Sequence, residues 1–387
     1  MKSTVPASSW HTISGSARGA SHERTGSPNQ DFVRIAALEH GDGAIIAVAD
    51  GHGDELHARS DRGARFATEV AVAELQGWIS AANGGNGMIH ATAERLPEAI
   101  VRAWREKVFA DLERDPPGVA ETSFRRAEKA DIIRKSPEVL YGSTLVAAAI
   151  NERVAAYLQI GDGDVLTVAA DNKVTRVIPG RDDLLINETE SLCQSDAQAR
   201  FRLQVDTIVN GRRPVIVLAA TDGYSNSYGG DDAAFFKVAT DLKAYLDRYG
   251  PQWVGQHVKS WLSETSQTGS GDDITIALAW HGSAYGSEAP AVIPPRWRRY
   301  LSSAGVFARR LLRALLVVIT AIAILLMAGW FARDHLPPTL KNHAIEWGQK
   351  LVEKARRAFH IGPQGETHPP ASPGTTPAPP VALPEDI

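Results

Sequence analysis

The amino-acid sequence predicts an α+β fold, a layered sandwich of antiparallel strands with helices packed against them. Three observations point there. Short β-rich runs follow one another across tight turns at 145–150, 154–160 and 165–169. Helical stretches are grouped between such runs, without the strict strand–helix alternation that builds a parallel sheet. Residues 215–220 form a near-continuous apolar run of the length expected for a buried strand.

Taken in chain order, 44–49 is a strand candidate ending at Asp50, and 59–78 and 91–112 read as helices. Residues 113–140, rich in Arg, Lys and Glu, read as a helical connection with a solvated face. The strands at 145–169 follow, then the strand 215–220 ending at Thr221-Asp222. Helices are expected over 232–245 and 252–265, and a last strand over 274–280. Together these define one domain over about 10–282.

Beyond it the composition changes. Residues 283–295 read as a Pro/Gly/Ser-containing linker. The segment to 313 is basic, with Arg296, Arg298, Arg299, Arg309, Arg310 and Arg313. Residues 314–332 carry no charge, and 19 residues of helix span about 28 Å, close to a bilayer's hydrocarbon thickness. A single transmembrane helix is therefore expected there, with Trp330 as an interfacial anchor. The arginine excess before it predicts a cytoplasmic N-terminal domain and a tail, 333–387, on the other side. The tail ends in Pro/Thr/Ala-rich sequence from 362, which has no means of building a core. The N-terminus is polar, so no cleavable signal peptide is expected.

Composition narrows the function classes. A hydrophobic content of 43% supports a substantial core, and a net charge of −4 carries no nucleic-acid footprint. The single cysteine, Cys193, excludes an internal disulfide and a cysteine-based zinc site. It reads as a small packed residue.

The chemistry is carried by acids at strand ends. Asp50, Asp162 and Asp222 each follow an apolar strand, and Asp272-Asp273 precede one. Asp-Gly alone is a common turn. Four such acids gathered by a fold would repel one another unless a cation lay among them. An all-oxygen donor set suits Mg²⁺ or Mn²⁺, and Gly51 after Asp50 lets a backbone carbonyl approach. Two such ions can activate a water and clamp a phosphoryl oxygen.

In this order the motifs resemble the metal-dependent (type 2C) serine/threonine protein phosphatases, especially their bacterial branch. The matching segments are Ser21-His22 with Gly26-Ser-Pro-Asn-Gln-Asp31, Asp50-Gly-His-Gly53, Tyr141-Gly-Ser-Thr144, Ile160-Gly-Asp162, Ala220-Thr-Asp-Gly223 and Gly271-Asp-Asp-Ile-Thr275. Arg59-Ser-Asp-Arg-Gly-Ala64 and Asn187-Glu-Thr-Glu-Ser-Leu-Cys193 are also similar to the bacterial branch. The resemblance covers about residues 10–282. It implies two stacked antiparallel sheets flanked by helices, with the metals at one end. It further implies that Asp50 bridges two Mn²⁺ or Mg²⁺ ions, that the Gly51 carbonyl holds one, and that Asp222 and Asp272 hold the other. Asp31 would act through a water on the ions, Asp162 at a weaker third metal, and His52 as the general acid. Phosphorylated proteins and a cognate Ser/Thr kinase are the implied partners, with membrane lipids added by the basic segment and the apolar run.

The chain departs from the family in places. Relatives carry a phosphate-gripping Arg shortly before the first Asp; here Arg24 lies seven residues ahead of Asp31, with His22 before it. Either could bind phosphate. Asp54 replaces a glycine, and Gly163-Asp164 replace a Ser-Arg pair. Arg59, Asp61 and Arg62 read as a structural ion-pair cluster. Two other functions remain open at this stage: a non-catalytic module that binds phosphorylated partners, and a hydrolase of small phosphate monoesters.

Overall fold

The computed structural model describes residues 9–82, 89–122, 127–179, 190–283 and 286. Two five-stranded antiparallel sheets are stacked on one another. The first has the order β1 (Ser9–Ala17), β10 (Ile274–Gly282), β9 (Ile216–Ala220), β6 (Asp164–Val168), β7 (Val174–Arg176). The second has the order β2 (Phe32–Ala37), β3 (Gly43–Ala49), β4 (Leu145–Asn151), β5 (Val154–Ile160), β8 (Arg202–Thr207). The helices are α1 (Ala20–Thr25), α2 (Ser60–Ala82), α3 (Ile89–Ala93), α4 (Leu96–Arg114), α5 (Val119–Thr122), α6 (Ala127–Lys135), α7 (Ala197–Arg200), α8 (Asp222–Asn226) and α9 (Asp232–Thr268).

Period-2 alternation sorts the strands' side chains between layers. In β3, Ile45, Ala47 and Ala49 face α2 and α4, where Leu75, Ile79, Ile100 and Trp104 complete that core. The intervening Ala44, Ile46 and Val48 face the other sheet and meet Val217, Ala219, Ala277 and Ala279. Many residues between the sheets are alanines, which lets the two sheets approach closely. On the far side, Leu218, Ile276 and Leu278 pack under α9 with Phe235, Leu246 and Leu262. The expected layered sandwich is therefore present, with every strand of the central sheets buried on both faces except at the edges.

Local differences from the sequence reading have identifiable causes. The helix expected over 91–112 divides into α3 and α4, with Pro97 in the first turn of α4, where a missing N–H costs nothing. The two helices expected between 232 and 265 do occur. They meet at Gly250, whose φ of 83° and ψ of 168° no helix tolerates, followed by Pro251. Strands β1, β2, β7 and β8 escaped the sequence reading because they mix polar with apolar residues; pairing with β10, β3, β6 and β5 defines them. The apolar run 314–332, the basic segment 296–313 and the tail 333–387 lie outside the described residues. Among the described residues no helix is long and apolar enough to cross a membrane.

The cluster at the start of α2 is structural, as its charge pattern suggested. Arg59 is buried, and its guanidinium donates to Glu121 (2.5 and 2.8 Å), to the Asp115 carbonyl (2.6 Å) and to the Tyr141 hydroxyl (2.9 Å). Arg62 donates to Asp111 (3.0 Å) and Asp115 (2.6 Å). These bonds tie α5 and α4 to α2 and to the segment holding Tyr141. Arg59 holds the Glu121 carboxyl below its ordinary range. Burial pushes Asp111 up, but hydrogen bonds from Tyr141 and Arg62 outweigh it and hold Asp111 low. Folded values below unfolded ones mean that the stabilisation is complete above about pH 4–5 and is lost as pH falls through the folded values. We expect Arg59→Met to cost roughly 2–3 kcal/mol in urea unfolding at pH 7. The same variant should flatten the acid-side decline of stability, followed as Tm against pH.

Candidate metal centre

Antiparallel register gathers the acids at one edge of the sandwich. In one sheet, β2 and β3 pair Phe32 with Ala49, so Asp31, just before β2, lies beside Asp50, just after β3. In the other, Ala220 of β9 pairs with Ile276 of β10 and with Asp164 of β6. Asp222 therefore emerges between Asp272, which precedes β10, and Asp162, which precedes β6. Five carboxylates from separate chain segments share one end of the two sheets.

Hydroxyl groups and backbone hold this edge in place. The Asp50 backbone N–H donates to Thr144 Oγ1 (3.0 Å), and its carbonyl accepts from the Thr144 N–H (2.8 Å). Gly51 donates to the Gln30 carbonyl (3.1 Å). A Cβ at Gly51 would stand 2.7 Å from the Ser60 backbone and 2.9 Å from the Gln30 carbonyl, so only glycine fits. Thr221 Oγ1 donates to Asp31 Oδ2 (2.8 Å), and Asn226 donates to Asp222 Oδ2 (2.8 Å). Asp222 opens α8, at a helix N-terminus that favours an anion.

The electrostatics match the crowding. Burial pushes the Asp31 carboxyl up to about 8, and Asp273 and Asp222 add repulsion. Burial also raises Asp50 well above the carboxylate range, helped by Asp31, Asp222, Asp272 and Asp162. Asp222 rises to about 6 through burial and the charges of Asp162 and Asp272, and its side chain meets that of Asp50 in a hydrogen bond. Among the described residues no three His, Cys, Asp or Glu side chains draw together as a finished ligand group. The acids act on one another across the strand ends instead. A hard divalent cation fits this donor set: the donors are all oxygen, the acids are costly as unrelieved anions, and the buried Asp31 Oδ1 has no hydrogen-bond partner among the described residues.

The two neighbouring acids of the last motif do different work. Asp273 is buried; its Oδ1 accepts from the Gly19 N–H (2.6 Å) and its Oδ2 from the Gln30 N–H (2.7 Å). It staples the β1–α1 turn to the residue before Asp31. The Asp272 side chain is 51% exposed, leaving its carboxylate available. The sequence reading favoured Asp272 over Asp273 as the ligand; Asp273 is occupied by these two backbone bonds.

Asp162 is exposed at the β5–β6 turn. Asp164 is occupied by Arg176 (2.8 Å), which also pairs with Asp232 (2.9 Å). His22 lies at this edge, with Nδ1 3.0 Å from Asp273 Oδ1 and Nε2 3.9 Å from Asp272 Oδ1. Arg24 is exposed on α1, and no described contact joins it to the acids. His52 is half-buried, its backbone N–H donating to the Gly142 carbonyl (3.1 Å) and its ring 4.9 Å from that of His57. Burial, then His57, lowers His52 to about 4, so its ring is neutral at neutral pH until an anion lies beside it. Gln30, Thr144, Thr221, Asp273 and His57 were passed over as site residues. The first four stand inside or beside the motifs, but only tertiary contacts reveal their partners.

Asp273→Asn is expected to cost roughly 2–3 kcal/mol of stability, because a buried acceptor of two backbone N–H groups becomes part donor. Asp272→Asn should change stability by less than about 0.5 kcal/mol. Urea unfolding of the two variants checks the division.

Comparison with known proteins comes down to one family and a set of shared folds. The family described as "Protein phosphatase 2C" matches residues 18–264. No curated protein matches the chain. Among solved structures, the catalytic domain of serine/threonine protein phosphatase PstP in complex with two manganese ions is 18% identical, covering 71% of this chain and 100% of that one at a TM-score of 0.43. The Mycobacterium tuberculosis serine/threonine phosphatase PstP/Ppp is 15% identical over 70% and 98% of the two chains, at 0.41. PppA of Pseudomonas aeruginosa, a regulatory component of its type VI secretion system, is 18% identical over 71% and 99%, at 0.42. From the match over residues 18–264, the chain belongs to the protein phosphatase 2C family of serine/threonine protein phosphatases.

Proposed function

We propose that the domain hydrolyses phosphoserine and phosphothreonine in proteins, using two Mn²⁺ or Mg²⁺ ions, at the cytoplasmic face of a membrane. The observation that carries this reading is the crowding of Asp31, Asp50 and Asp222 from three separate strand ends: Asp31 and Asp222 both raise the Asp50 carboxyl, Asp222 also raises Asp31, and the side chains of Asp50 and Asp222 meet. Asp50, the Gly51 carbonyl, Asp222 and Asp272 would hold the ions, with Asp162 at a third, weaker position. When bound, the ions supply an activated water and a charge clamp on the phosphoryl oxygens. Asp31, anchored by Thr221, would orient that water through its second oxygen.

His52 would donate a proton to the departing Ser or Thr oxygen. A substrate phosphate beside the ring raises its proton affinity, which burial otherwise depresses. Of the two candidates for phosphate grip, His22 is favoured over Arg24 by its place against Asp272 and Asp273. Phosphorylated proteins, and a kinase that makes them, are the partners this reading requires. The intact acids weigh against a non-catalytic binding module.

The membrane part rests on the sequence of 296–332. Arginines near anionic headgroups contribute about 1 kcal/mol each, which would keep the catalytic domain close to the bilayer. The full chain should remain in the membrane fraction after a high-salt wash and enter solution only with detergent. Recovery from a membrane-free extract would refute the anchor.

For the chemistry, calorimetric titration with Mn²⁺ should show binding to the wild-type chain that Asp222→Asn weakens by about 100-fold. Turnover of a phosphothreonine peptide should require Mn²⁺, stop with EDTA, and fall by at least about 100-fold in Asp222→Asn. Tight Mn²⁺ binding by a folded protein with no turnover of phosphopeptide would leave the binding-module reading in its place.

A further inference from the structure

His52 lies on a loop that doubles back on itself within five residues. Asp54 caps the short 3₁₀ turn Glu55–His57: its side chain accepts from the Leu56 N–H (2.9 Å), and its carbonyl accepts from the His57 N–H (2.9 Å). The turn carries the His57 ring back beside His52, with centroids 4.9 Å apart and planes at 57°.

The His57 ring is itself held. Its Nδ1 stands 2.5 Å from the Val139 carbonyl oxygen. A carbonyl only accepts, so the proton is on Nδ1 and Nε2 carries the lone pair. Lys129 of α6 pairs with Glu55 (2.5 Å) and Asp54 (3.5 Å), adding an exposed tie to the same turn.

Both rings also rest on one backbone position. A Cβ at Gly142 would come within 2.3 Å of His57 Nδ1 and 2.8 Å of His52 Cδ2. The Gly142 carbonyl accepts the His52 backbone N–H at 3.1 Å. Gly142 belongs to the Tyr141-Gly-Ser-Thr144 motif, whose Thr144 braces Asp50. One short segment thus supports Asp50 on one side and seats the His52–His57 pair on the other. Gly142 and His57 bound the His52 imidazole on two sides.

We propose that His57 is a positioning residue: fixed to the Val139 carbonyl, its ring holds the His52 imidazole in the orientation from which His52 protonates the leaving oxygen. The inference rests on the reading of His52 as proton donor. In that step the water oxygen forms the new P–O bond and the ester P–O bond breaks. Its electron pair stays on the Ser or Thr oxygen, which takes the proton from His52, and the proton of the attacking water returns to solvent or to His52. A rotated imidazole leaves the first bond-making contact untouched and impairs only the protonation.

The leaving group makes the test selective. An aliphatic alkoxide needs the proton, whereas p-nitrophenolate is a stable anion and leaves without it. The full chain with Mn²⁺ is assayed on a phosphothreonine peptide and on p-nitrophenyl phosphate. His57→Ala should lower kcat on the peptide by about 10- to 100-fold, with KM within about twofold, and lower kcat on p-nitrophenyl phosphate by under about threefold. His57→Asn, which keeps a donor for Val139, should recover part of the peptide rate. Equal losses on both substrates, or no loss on either, would overturn the proposal.

His52→Gln separates this inference from the reading beneath it. If His52→Gln loses both substrates equally, the proton-donor reading fails. If it loses only the peptide while His57→Ala is silent, the positioning role alone fails. Should His57→Ala prevent folding, His57→Phe, which keeps the ring's bulk but cannot donate to Val139, carries the same comparison: selective loss on the peptide supports the proposal, and unselective loss or none overturns it.

Discussion

Repulsion between crowded carboxylates is the constraint around which this domain is organised. Asp31 is buried and Asp50 and Asp222 are half-buried; Asp31 and Asp222 make Asp50 harder to ionise, Asp222 does the same to Asp31, and Asp162 and Asp272 to Asp222. Such an arrangement persists in a folded protein only when the surrounding framework over-determines it. Here the framework is two sheets whose inner strands are buried on both faces and whose inner surfaces meet through alanines. The stability of the layers offsets the electrostatic cost at their edge, and that cost makes the edge receptive to divalent cations.

Small polar residues translate the sheet geometry into side-chain placement. Thr144 grips the Asp50 backbone, Thr221 grips the Asp31 carboxylate, and Asp273 joins Gly19 to Gln30. Each of them connects segments far apart in sequence; the Asp273 bonds span more than 240 residues. These are the contacts that hold acids of two different sheets at one site. Their burial makes them costly to break, whereas Asp272 and Asp162 stand at the solvent side.

The helical layer beside α2 does a related task at lower cost. Arg59 and Arg62 knit α4 and α5 to the segment around Tyr141. That segment continues directly into Gly142 and Thr144, and so into the seat of His52 and the brace of Asp50. The charges there serve the site through the backbone they fix, without facing the reacting groups.

The sequence by itself determined the layered α+β class, because apolar periodicity is a local property and the strand runs at 145–169 and 215–220 carry it plainly. It also determined where acids would stand, since Asp50, Asp162, Asp222 and Asp272 are adjacent to strands in the chain itself. Strands β1, β2, β7 and β8 were illegible, because strands of mixed polarity acquire their identity from partners. Only the tertiary structure decided that Asp273 is a staple while Asp272 stays available, for two adjacent acids are alike until their hydrogen bonds are known. It likewise set His22, and not Arg24, against the acids, and brought His57 to His52 over Gly142. The physical reason is the same in each case: antiparallel register and backbone hydrogen bonds between distant segments fix which side chains meet, and no local pattern encodes that pairing.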